Sequence, residues 1–246
     1  MRSFSESQLV KVFVVSTCLI LFLVCFVPKS DVVTDIYLSM PWVSSAEISE
    51  QLFRKGRFQY SIVDRARRLI IRLNESGQER KAIQTLVELI QWETRGIGFE
   101  SETVRESFLL FGFLDKTGKI PSAEWVELCK PVESLLGEMV AHRDKGMVTR
   151  TWHVQQQYAK GYENHRVWNL SEFWLVSASE NAKAVEGSQS TVFFDSRYLL
   201  AKDYVLAKNK QKAIDIISEI HIPTECKDPG FRLLQQNIVA LTNTLR

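Results

Sequence analysis

The chain has 246 residues and a formal net charge of +2, with 45% apolar and 24% charged residues. That balance excludes a disordered chain and a strongly basic nucleic-acid binder, and it suits a body that buries a core. With only 11 glycines and 6 prolines, a turn-rich β body is excluded as well, and the expected fold class is all-α.

Residues 1–8 read as a short N-terminal tail. Residues 9–27 read as a transmembrane anchor: Lys11 is the only charge in the 19 residues, which span roughly 28 Å as a helix, close to the hydrocarbon thickness. The run ends in Cys25-Phe-Val-Pro-Lys29, with bulky residues where a cleavage site needs small ones, so the anchor is expected to stay attached. Arg2 and Lys11 precede it, and Lys29 follows ahead of Asp31 and Asp35. This charge difference puts the N-terminus in the cytoplasm and the body on the non-cytoplasmic side, which means inner membrane and periplasm in a bacterium. Residues 28–45 read as a stalk, with Tyr37 and Trp42 either at headgroup level or packed on the domain.

The helical domain is expected over residues 46–246. Ile62, Ala66, Leu69, Ile70 and Leu73 recur at helical spacing. Arg65, Arg68 and Arg72 line another face of that helix, a candidate basic surface for anionic lipid or an acidic partner. Asn74-Glu-Ser-Gly77 breaks the helix, and a second stripe follows through Ala82, Ile83, Leu86, Val87, Leu89 and Ile90. So short a connection makes the pair an antiparallel hairpin. The pattern returns with Tyr198, Ala201, Tyr204 and Val205, a break at Asn209, then Ala213, Ile214, Ile216, Ile217 and Ile220, closed by Pro223. A last helix uses Phe231, Leu234, Ile238 and Leu241.

The hairpins near 60–92 and 197–223 resemble tetratricopeptide units. Ala66, Leu69, Gly77, Ala82 and Leu86 fall at that family's packing positions, as do Leu200, Ala201, Tyr204, Ala213 and Ile217. The resemblance implies stacked helical hairpins that bind peptides or proteins on a concave surface. The family's repeat is about 34 residues, and the offset from Ala82 to Ala213 is no multiple of it, so the array is irregular. The same pattern suits any helical hairpin with an alanine at its crossing point.

In the middle, Pro121-Ser-Ala-Glu124 opens a helix that runs toward His142, with Pro131 expected to kink or split it. Asp144-Lys-Gly146 reads as a turn, Val148–Trp174 as helix, Ala184–Ser190 as a loop, and Thr191–Phe194 as a short strand or, better, a lead into the Tyr198 helix. The string from Phe113 to Glu124 resembles a degenerate calcium loop, with Asp115 and Thr117 at the third and fifth ligand places, Ile120 at the eighth position, Glu124 at the twelfth and Gly118 at the sharp turn. Phe113 stands where the first carboxylate belongs, so no metal or cofactor is expected.

Trp152, Tyr158, Tyr162, Trp168 and Trp174 form the densest aromatic cluster, a candidate partner-binding surface or a set of rings packed between helices. No catalytic constellation stands out: G-x-S-x-G, the P-loop and H-E-x-x-H are all missing from the sequence. Cys129 and Cys226 are the only cysteines outside the anchor, a candidate disulfide in an oxidising compartment. The expected function is a membrane-anchored helical scaffold for partner proteins, with no nucleic acid involved, in an envelope assembly such as a secretion, pilus or motor apparatus. The alternatives are an envelope enzyme with a pocket in 150–175, using Glu163, Glu172 or His165 as acid or base, and a module that senses calcium or another ligand.

Overall fold

The computed structural model describes residues 31–54, 58–98, 101–141, 145–221 and 229–245. The anchor over 9–27 lies outside them; among the described residues no helix is long and apolar enough to cross a membrane. There is no strand among them either, so the chain is all-α.

The helices are α1 (Asp31–Leu38), α2 (Ser45–Ser49), α3 (Tyr60–Glu75), α4 (Glu79–Ile97), α5 (Glu102–Leu109) and α6 (Ser122–Ala141). They continue with α7 (Lys145–Asn164), α8 (Trp168–Glu186), α9 (Thr191–Leu206), α10 (Lys210–Ser218) and α11 (Pro229–Leu245). A π-helical turn, Glu50–Arg54, follows α2, and a 3-10 turn, Leu110–Gly112, follows α5. Chain neighbours pack on one another: α3 on α4, α7 on α8, α8 on α9 and α9 on α10. α6 bridges the two ends by packing on both α4 and α7.

Three hairpin turns share one design. Gly77, Arg166 and Lys208 have positive φ, 78°, 58° and 62°. The next residue then donates its N–H to a carbonyl five positions back: Gln78 to Leu73, Val167 to Tyr162, and Asn209 to Tyr204. This closes the orphan carbonyls at each helix end and reverses the chain. Only the first of the three has glycine, the residue that takes this conformation without steric cost. The expected 148–174 helix is therefore two, α7 and α8, split where Arg166 turns the chain.

Both expected hairpins are helix pairs, α3–α4 and α9–α10, and Ala82 and Ala213, on the second helix of each, are 0% exposed. Three other expectations differ. Helix α6 is not split at Pro131 but continues through it. Pro131 and Glu127, whose carbonyl it leaves unbonded, are both exposed, so water can take the place of the missing N–H. Gly146 lies inside α7 and Ala184–Glu186 inside α8, each extending a helix past an expected turn or loop.

The segment 31–45 is not a free stalk. Leu38 and Val43 are 0% and 2% exposed in the main core, and Arg65 pairs with Asp35. Gln78 Nε2 donates to the Ser39 carbonyl at 3.0 Å and Lys81 Nζ to that of Met40 at 2.8 Å. Apolar residues run through the whole segment and the sequence does not single out Leu38 and Val43 among them, yet these two are the side chains that seat it on the body.

Candidate functional site

The stretch from Phe113 to Ile120 is a tight loop organised by one carboxylate. Asp115 Oδ1 accepts the N–H of Lys119 at 2.9 Å, and Oδ2 accepts that of Ile120 at 2.7 Å. Its own N–H donates to Asn74 Oδ1 at 2.9 Å. The third partner comes from far along the chain: His165 Nε2 meets Asp115 Oδ2 at 2.8 Å, with both side chains 0% exposed. His165 Nδ1 faces the Gly161 carbonyl at 2.8 Å, and the ring stacks on Trp125 with centroids 3.7 Å apart. Ser122 Oγ donates to the His165 carbonyl at 2.6 Å. At Gly118, φ 62°, a Cβ would stand 2.6 Å from the Asn164 carbonyl oxygen, so this close approach requires glycine.

These contacts give the calcium-like string a different use. The Asp115 carboxylate is filled by two backbone N–H groups and an imidazole, and Glu124 pairs with Arg80 at 2.7 Å. Among the described residues no three His, Cys, Asp or Glu side chains gather as a metal would need. His165 is buried, with both ring nitrogens within hydrogen-bond distance of partners in this chain.

Beside the locked loop lies a cleft of about 570 Å³. Its floor is apolar, from Ile71 at the end of α3, Leu110, Phe113 and Leu114. Phe113 and Ile71 are 51% and 42% exposed. Asn74, Glu75, Lys116 and Thr117 form the rim, with Lys116 Nζ 5.2 Å from the centroid of the Phe113 ring. The ion pair of Lys119 with Glu79 closes one side, and the Glu79 carboxylate raises the Lys119 pKa. Across that pair opens a second cleft, about 510 Å³, between Pro41, Ser45, Lys81 and Pro121. Volumes of this size are those of ordinary ligand pockets. Sequence reasoning singled out the loop but not the cleft, because its walls come from segments forty residues apart.

Of the candidate aromatic residues, Tyr158, Tyr162 and Trp174 are 1%, 1% and 3% exposed. Tyr158 is the hub: its ring meets Phe111, Tyr162 and Trp174 edge-on at 4.9, 5.3 and 5.5 Å, and its hydroxyl donates to the Cys129 carbonyl. These three pack between helices, whereas Trp152 and Trp168 are half-buried. Glu163 pairs with Lys160. Glu172 accepts from Tyr204 Oη at 2.6 Å and Lys212 Nζ at 2.9 Å. Partial burial pushes the Glu172 pKa up, but these donors outweigh it and leave it below its ordinary value.

On α3, Arg65 is committed to Asp35, while Arg68 and Arg72 are exposed. Cys129 is a free, fully buried thiol whose pKa is raised by burial; Cys226 lies outside the described residues.

Two buried carboxyls escaped sequence reasoning. Glu93 is 0% exposed, accepts from Ser107 Oγ at 3.0 Å and lies 3.6 Å from the Arg67 guanidinium. Desolvation lifts its pKa to about 7 against the pull of Ser107 and Arg67. Asp203, 1% exposed, accepts from Ser171 Oγ at 2.7 Å, and burial lifts it to about 6. Neither sits in a recognisable motif. No protein-family model matches the chain, and a search of curated proteins finds no significant match.

Proposed function

We propose that the protein is a membrane-anchored helical scaffold whose body holds a segment of a partner protein in the cleft beside the 113–119 loop. Residues 9–27 serve as the anchor, the N-terminus stays in the cytoplasm, and the body works on the far side of the membrane. The observation that carries the reading is the exposed apolar floor, Phe113 and Ile71, between charges of both signs. An aromatic anchor site ringed by polar groups is the usual centre of a protein–protein contact. The Asp115–His165 lock supports it, because a preformed site loses less freedom on binding.

The test is crosslinking in intact cells, then purification of the full-length protein from membranes beside a Phe113→Asp variant. A defined stoichiometric partner set that disappears in the variant, with an unchanged thermal melt, is the expected result. The same set recovered with both proteins would remove the cleft as the binding site. Protease accessibility of the body in right-side-out membranes checks the orientation.

A further inference from the structure

The N-terminal flank of the folded body carries exposed apolar side chains within seven consecutive residues. Trp42 is 75% exposed, Ile36 50% and Tyr37 36%. Their outward setting is fixed from behind. Leu38 and Val43 are locked in the core, Asp35 is held by Arg65, and the carbonyls of Ser39 and Met40 by Gln78 and Lys81. Helix α1 therefore cannot roll to hide Ile36 without losing Leu38, and the buried Val43 next to Trp42 fixes the chain there.

Chain length says what lies opposite this flank. Val27, the last residue of the apolar run, stands four residues before Asp31, so α1 begins within roughly 14 Å of the end of that run. Helix α1 itself adds only about 12 Å. Tryptophan and tyrosine favour the headgroup layer, where a ring finds both apolar and polar surroundings. Exposed Arg68 and Arg72 stand on α3, the helix on which α1 packs, and guanidinium groups pair well with phosphate.

We infer that residues 36–42 form a membrane-contact surface, with Ile36 and Trp42 entering the headgroup layer of a phospholipid bilayer and Arg68 and Arg72 directed to its phosphates. The inference rests on the reading of residues 9–27 as an anchor. It makes the body a docked rather than a dangling unit, with its clefts held near the membrane.

The full-length protein, purified and reconstituted into vesicles of phosphatidylcholine and phosphatidylglycerol, tests this without any partner present. A fluorescent non-natural residue is placed at position 42, at 36, or at 173, where Phe173 is 58% exposed on α8. A nitroxide carried on the lipid headgroup should quench the probes at 42 and 36 severalfold more than the one at 173. Charge reversal of Arg68 and Arg72 to Glu should reduce quenching at 42. Equal, weak quenching at all three positions, with the protein resisting alkaline carbonate extraction, would overturn the surface while leaving the anchor standing. Release by carbonate would remove the anchor and the inference with it.

Discussion

Asp115 and His165, fifty positions apart, meet at 2.8 Å with neither side chain exposed. The pair joins the loop after α5 to the turn between α7 and α8, and so connects the first half of the fold to the second. Removing one partner leaves a buried polar atom of the other without its hydrogen bond, which typically costs about 1–3 kcal/mol. His165→Ala and Asp115→Asn should each lower stability by that order in urea unfolding. If the double variant costs no more than either single one, the pair acts as a unit; additive losses would mean that the two residues act separately.

Glu93 and Asp203 set an expected pH dependence. Their folded pKa values, about 7 and about 6, lie above the ordinary 4.5 and 3.8. The folded state then binds protons more tightly than the unfolded one, so stability is full below about pH 4 for these groups and falls as pH rises toward 7. For Glu93 alone the loss is roughly 3 kcal/mol. Glu93→Gln keeps the shape and the Ser107 contact. Thermal melts from pH 4 to 8 should show this variant gaining on the parent as pH rises; parallel curves would disprove the shift.

Ala82 and Ala213 are each fully buried on the second helix of their hairpins. Ala82→Leu and Ala213→Leu should each cost about 1–3 kcal/mol through overpacking, since leucine is itself a good helix former. The measurement is the midpoint of chemical unfolding with helicity followed by circular dichroism. Variants that unfold like the parent would show that both sites can take a larger side chain, and would weaken the likeness to tetratricopeptide hairpins.

A truncation starting at Ala46 follows the boundary expected from the sequence, while one starting at Asp31 follows the packing. The first lacks Leu38, Val43 and the Asp35–Arg65 pair and uncovers the side of α3 and α4 that they seal. Both truncations should be strongly helical, with the longer one melting several degrees higher. Equal melting temperatures would show that α1 contributes nothing to the body.

The helical class, the two helix pairs and the burial of Ala82 and Ala213 were legible in the sequence. Each follows from periodicity and from breaks spanning a few residues, and the chain expresses these locally. The apolar character of residues 9–27, with Lys11 as the single charge, is likewise a property of the sequence alone. Tertiary packing decided the rest. Whether Leu38 and Val43 belong to a stalk or to the core depended on α3 and α4. Tyr158 became the middle of a ring cluster because Phe111 and Trp174 arrived from other helices. The Asp115 carboxylate was taken by His165 instead of a cation, although nothing near either residue names the other. Such contacts join segments that are distant along the chain, and burial raises their strength only after the fold has excluded water.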